Sequence, residues 1–210
     1  MSSVAYGLLM AAALIGSHLG GNAVDKDEWR AGPDVDRMLN DFARCMVRGQ
    51  PKQAHALLMM SPTAPESADR LISWVAQRSG CLRVRGNLRM RPPVMRGAIA
   101  ERLYLETFAR PPGLGQLPTG VQPSSEDFRL VPYEVVQCAA GRDPVAADRL
   151  VRSRRRSPEE VEAVNRLKPA LNACARPGVR LELNRTMIRS LTAEGLYKLR
   201  SANPAMEETA

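Results

Sequence analysis

The chain has few rings and few lysines. Phe, Trp and Tyr make up 4% of its 210 residues, so a core has to be built from Leu, Val, Ala and Met, a composition that leans toward helix. Of 30 basic residues 26 are Arg and 4 are Lys. Such a skew follows a general preference for Arg, Ala, Gly and Pro as readily as selection for anions, so the net charge of +8 is a weak guide to partners. Histidine is scarcer still, with His18 and His55 alone. No CxxC spacing, Gly-rich phosphate loop, GxSxG elbow, HExxH pair or calcium loop occurs, which removes the familiar signatures of metal, nucleotide and hydrolytic sites.

Long apolar runs are also missing. Val4 to Gly16 is uncharged over 13 residues, short of the roughly 20 a membrane-spanning helix needs. Its length suits the core of a signal peptide, and Gly21-Asn22-Ala23 places small residues where a signal peptidase inspects the chain. Residues 1–23 are therefore read as a signal peptide cleaved before Val24. Ser2 and Ser3 depart from the usual positive head, and no cysteine near the cleavage point marks a lipoprotein. The expected location is periplasmic or secreted, with no transmembrane segment once the signal is removed.

What is present is a repeat. Cys45 and Cys138 stand 93 residues apart, as do Cys81 and Cys174. The same offset aligns Pro51 with Pro144, Ala54 with Ala147, Leu57 with Leu150, and Pro65-Glu66 with Pro158-Glu159. It also aligns Arg96, Ala100, Glu101, Leu103 and Tyr104 with Arg189, Ala193, Glu194, Leu196 and Tyr197. One register held over so many positions indicates two copies of one module. The expected organisation is helical module 1 over 34–109, a Pro/Gly-rich linker over 110–127, helical module 2 over 128–202 and a disordered tail over 203–210.

In an oxidising compartment four cysteines read as two disulfides. Of the three possible pairings, Cys45–Cys81 with Cys138–Cys174 is the one that closes the same loop in both modules. On the chain-entropy model each loop stabilises by roughly 4 kcal/mol, comparable with the whole stability of a small module.

Within module 1, Asp34 or Asp36 can cap a first helix that carries Val35, Met38, Leu39, Phe42 and Met46 and ends at Gly49. Pro51 opens a second helix running to Met60, and Pro65-Glu66 opens a third that leads to Cys81. From Leu82 to Arg91 the apolar period changes to two, which predicts a short strand. A fourth helix follows from Val94 to Phe108. Module 2 repeats the plan with helices from Val131 to just past Cys138, from Pro144 to about Arg154, from Ser157-Pro158, and from Thr186 to Arg200. Pro169 predicts a kink or break near Lys168. Val179, Leu181 and Leu183 predict a second short strand, able to pair with the first. The fold class is thus mainly α, a tandem duplication of a disulfide-stapled module with four helices and a short strand, packed about an approximate internal two-fold.

No catalytic residue, metal site or cofactor follows from these patterns. His55 has no local partner that would make it a base, and a solvent-facing or capping role fits it better; its counterpart at the 93-residue offset is Asp148. The candidate binding residues are those the repeat keeps in its fourth helix: Arg96, Glu101, Tyr104, Arg189, Glu194 and Tyr197. Arg and Glu pairing or capping within each module, with Leu and Tyr docking the helix, is the plain reading. The sharper one has Arg96 and Arg189 holding an anionic group by paired hydrogen bonds, in equivalent sites or in a cleft between the modules. Two basic clusters are also present: Arg83, Arg85, Arg89, Arg91 and Arg96, and Arg149, Arg152, Arg154, Arg155 and Arg156. No aromatic is interleaved in either, which argues against nucleic acid.

The function that follows is an exported, non-enzymatic binding or structural protein of two homologous modules, with an unknown protein or anionic ligand as partner. A cationic protein binding polyanions or an anionic membrane surface is the alternative, and a hydrolase with an unrecognised site a third. The sequon Asn184-Arg185-Thr186 has meaning only in a eukaryotic secretory pathway.

Overall fold

Prolines begin most of the helices. In the computed structural model, which describes residues 33–81, 91–112, 117 and 122–202, helix α1 spans Pro33–Gly49, α2 Pro51–Met59, α3 Pro65–Gln77 and α4 Pro92–Thr107. After them come α5 Val131–Arg142, α6 Pro144–Arg152, α7 Pro158–Cys174 and α8 Arg185–Ser201. Seven of these carry Pro in the first turn, where the missing N–H would have had no intrahelical partner and the fixed φ already suits a helix. Eight helices, one 3-10 turn at Ser79–Cys81 and no strand make up the described residues, so the chain is mainly helical. The signal segment 1–23, nearly all of the strand expected between Leu82 and Arg91, and the tail 203–210 lie outside them.

Two local expectations change. No strand forms at Val179–Leu183 among the described residues. The period of two is nevertheless real: Val179, Leu181 and Leu183 are half-buried against the core while Arg180 and Glu182 face solvent. Alternation states which side chains turn inward, but a strand also requires a neighbouring backbone to bond. Nor does Pro169 end its helix, since α7 continues through it to Cys174. Packing of Leu167 and the Cys174 bridge into the core holds both sides of the interruption.

Cys45 on α1 is bonded to Cys81, and Cys138 on α5 to Cys174, each across 36 residues. Cys81 lies in the 3-10 turn just after α3 and Cys174 at the end of α7, so each bridge ties the first helix of its half to the region where the third ends. In each half the fourth helix packs on the first and second: α4 on α1 and α2, α8 on α5 and α6. Both halves then meet along α4 and α8. Residues Ala31–Ala210 form one compact unit, and the main apolar cluster draws Phe42, Leu57, Trp74 and Tyr104 from one half and Val135, Cys138, Leu150, Leu167 and Leu196 from the other. Leu117, in the Pro/Gly-rich segment, is buried in the same cluster.

The α4–α8 crossing is close because of one glycine. A Cβ on Gly97 would lie 2.5 Å from the Cα of Ser190 and 2.8 Å from its carbonyl oxygen, distances no side chain tolerates. Backbone meets backbone there, and Gly97 and Ser190 are themselves 93 residues apart.

Candidate functional site

Burying polar groups in the middle of a helix is costly unless each finds a partner. On α4 and α8 the buried positions include Arg96, Glu101, Arg189 and Glu194, in helices otherwise packed through Ile99, Leu103, Tyr104, Leu191, Leu196 and Tyr197. The two guanidiniums are 1% and 2% exposed. The six candidate residues all lie at this crossing, and each has a partner in the opposite half.

Arg96 Nε and Nη2 donate to the two carboxylate oxygens of Glu194, at 3.2 and 2.6 Å. Its remaining donors reach Ser67 Oγ at 2.6 Å, the Leu57 carbonyl at 3.0 Å, and the Leu58 and Met60 carbonyls at 3.4 and 3.3 Å. The arginine therefore closes the loose end of α2 and fastens it to α3 while it holds α8. Arg189 makes the reciprocal set. Its Nε and Nη2 donate to Glu101 at 3.0 and 2.8 Å, its Nη1 to Glu160 and Ser153 Oγ, and its Nη2 to the Val151 and Ser153 carbonyls. The fork geometry of a guanidinium, matched to a carboxylate on one edge and to helix-end carbonyls on the other, explains why Arg and not Lys occupies both places.

The tyrosines cross over as well. Tyr104 on α4 donates its hydroxyl to Asp148 on α6 at 2.6 Å, and the Tyr197 hydroxyl on α8 hydrogen-bonds His55 Nδ1 on α2 at 2.8 Å. His55 is thus a hydroxyl partner at the surface, standing where the other half has a carboxylate. Phe108 packs between the two tyrosine rings, 5.3 and 6.0 Å from their centroids, and the Arg200 guanidinium lies 4.2 Å above the Phe108 ring.

Charge balance differs at the two ends of the crossing. Glu101 also accepts from Arg155 at 2.5 Å, and Glu160 from the Arg156 backbone. Glu194 instead receives Lys198 from its own helix at 2.8 Å. Burial alone would push both carboxyls up. Arg155 and Arg189 outweigh it at Glu101, and Lys198 and Arg96 at Glu194, so both are held below the usual glutamate value and stay ionised. Burial and then the Asp148 hydrogen bond raise the Tyr104 phenol well above its ordinary value. Tyr133, beside the Glu194 charge, is pushed by burial to about 12.

Pairing within each module, the plain expectation for Arg96 with Glu101 and Arg189 with Glu194, is replaced by pairing across halves. A signal for this was available: the two residues are five apart in each helix, whereas neighbours on a helix face are three or four apart. In the second basic cluster Arg149 and Arg154 are exposed, and the other three have internal partners. Arg152 binds Asp148 and the Phe108 carbonyl, Arg155 binds Glu101, and Arg156 binds Asp36 on α1. Arg156 takes a left-handed backbone, φ 61°, to do so, a conformation that costs a non-glycine residue on the order of 1 kcal/mol. In the first cluster Arg83, Arg85 and Arg89 lie outside the described residues, Arg91 is exposed and Arg96 is buried.

Among the described residues no three His, Cys, Asp or Glu side chains gather in a way that could hold a metal ion. No described helix is long and apolar enough to cross a membrane. The two disulfides are compatible with an extracellular location. Compared with known protein families, characterised proteins and solved structures, the chain matches none.

Proposed function

We propose that this is an exported, non-enzymatic binding or structural protein built from two homologous helical modules, residues 34–109 and 128–202. The observation that carries the reading is the burial of every residue the repeat kept in its fourth helix. Arg96, Glu101, Arg189 and Glu194 satisfy one another across the seam, and Tyr104 and Tyr197 reach the opposite half. Residues retained in both copies for this purpose serve assembly, and a partner, protein or anionic ligand, is met by the outer surface. Support for a cationic binding face is reduced by the internal partners of Arg152, Arg155 and Arg156. The equal cysteine loops support export into an oxidising compartment.

Peptide mapping of the natural protein without reduction tests the frame. A mature start at Val24 with both bridges intact is expected; free thiols on a chain that begins at Met1 overturn export. The assembly role is tested by Arg96→Ala. A lowered melting temperature agrees with it, whereas an unchanged melting temperature with loss of anion binding returns the arginine to a ligand site.

A further inference from the structure

The seam between the halves has a property that no contact inside either half shares. Arg96 reaches Glu194 and Arg189 reaches Glu101, positions related by the same 93-residue offset. Tyr104 reaches the α6 residue equivalent to the α2 residue that Tyr197 reaches. At the centre, Gly97 meets its own equivalent, Ser190. When equivalent positions touch at the centre and exchange partners on either side, the two faces are one face used twice, which is the geometry of an isologous interface between two subunits.

Covalent structure does not oppose this. Each disulfide closes within its own half, so the chain between α4 and α5 is what ties one half to the other. A connection of that length holds the halves at an effective concentration on the order of millimolar, enough to keep the closed arrangement in a dilute intact chain. The polar contacts named above are made by residues outside the connection.

We infer that the α4/α8 face is a docking surface for a second copy of this chain, which each half enters by taking the complementary half of the other copy. The inference rests on the two-module reading and not on the binding role. Exchange is suppressed while the connection is whole and dilute. It appears once the connection is cut or when chains refold together near the effective concentration of their own halves.

The test uses the full chain with a protease site placed between Pro112 and Gln122, folded, oxidised and then cut. Native mass spectrometry is expected to find both fragments in one particle of the uncut mass. Cut protein in heavy-isotope and ordinary forms is then denatured with its bridges intact, mixed in equal amounts and refolded. About half of the particles should be hybrids, the statistical outcome for an interface that accepts either copy. Fragments that part on dilution, each still helical and bridged, overturn the docking surface and leave the two modules standing. Fragments that part and unfold overturn both. A refolded mixture without hybrids also overturns the inference. Gly97→Val, which places a side chain where α8 backbone now lies, is expected to keep both bridges and remove the hybrids; hybrids in undiminished yield would place the docking surface elsewhere.

Discussion

The first half of the molecule starts α2, α3 and α4 without a side-chain cap, while the second half caps every equivalent helix. Gln50, Ala64 and Arg91 precede helices with no side-chain cap bond. Asp143, Ser157 and Asn184 each accept a backbone N–H of the helix they precede. One pair of positions shows why. Gln50 uses its side-chain oxygen to accept the indole N–H of buried Trp74 at 2.5 Å. At the equivalent place of Trp74 the second half has Leu167, which needs no partner, and Asp143 is left to cap α6. A larger core side chain in one half was accommodated at the expense of a helix end.

The ends of the α4–α8 crossing differ in the same way. Arg189 sits between two carboxylates, Glu101 and Glu160, and Arg155 supplies the second positive charge from a nearly buried position. Arg96 has one carboxylate and the neutral Ser67, and the second positive charge, Lys198, is 20% exposed. The same backbone plan thus supports a dry four-charge cluster at one end and a wetter three-charge cluster at the other.

The largest expected effect separates these two ends. Arg189→Met takes the shared arginine away from two buried carboxylates, Glu101 and Glu160, and should cost toward the upper part of the roughly 3–5 kcal/mol seen when a buried pair is broken. Arg96→Met does so for one, and should fall toward the lower part; chemical denaturation of both variants measures the gap, and equal costs would erase the distinction. Next come the bridges. Cys45→Ala/Cys81→Ala and Cys138→Ala/Cys174→Ala open loops of equal length, so each should cost about 2–4 kcal/mol, and by the same amount. A large inequality would mean that one half depends on its staple more than the loop length explains.

Acid should weaken both ends together. Glu101 and Glu194 have folded pKa values below the ordinary 4.5, so their contribution is complete above that pH and is lost as pH falls through the folded values. A melting-temperature series from neutral to strongly acid pH should therefore drop below about pH 4.5. Added salt should weaken the Glu194 end more, because Lys198 is in reach of solvent and Arg155 is not. The smallest effects concern the caps. Ser157→Ala should cost about 1 kcal/mol and Ala64→Ser, at the equivalent position, should return up to about as much. Calorimetry of the two variants shows whether a side-chain cap contributes equally at the two equivalent helix starts.

Much of the local architecture was legible without coordinates, because it depends on residues close in the chain. Pro51, Pro65, Pro144 and Ser157-Pro158 mark helix starts through their own backbone and capping chemistry. Equal loops singled out the cysteine pairing that the structure contains. Val179, Leu181 and Leu183 revealed which way they turn but not whether a strand lay beside them. Pro169 predicted a kink or break, and the helix runs on through it to Cys174.

The sequence by itself singled out the Arg-to-Tyr stretch, because the same residues recur at one spacing. Tertiary structure decided what those residues do. Partner choice for a buried charge depends on which backbone comes within hydrogen-bond reach, and that was set at Gly97, where the absence of a Cβ lets α4 lie against α8. Once the two helices touch there, Arg96 and Glu101 face away from each other and toward Glu194 and Arg189. A residue list cannot carry that information, because it belongs to the crossing and to neither helix alone.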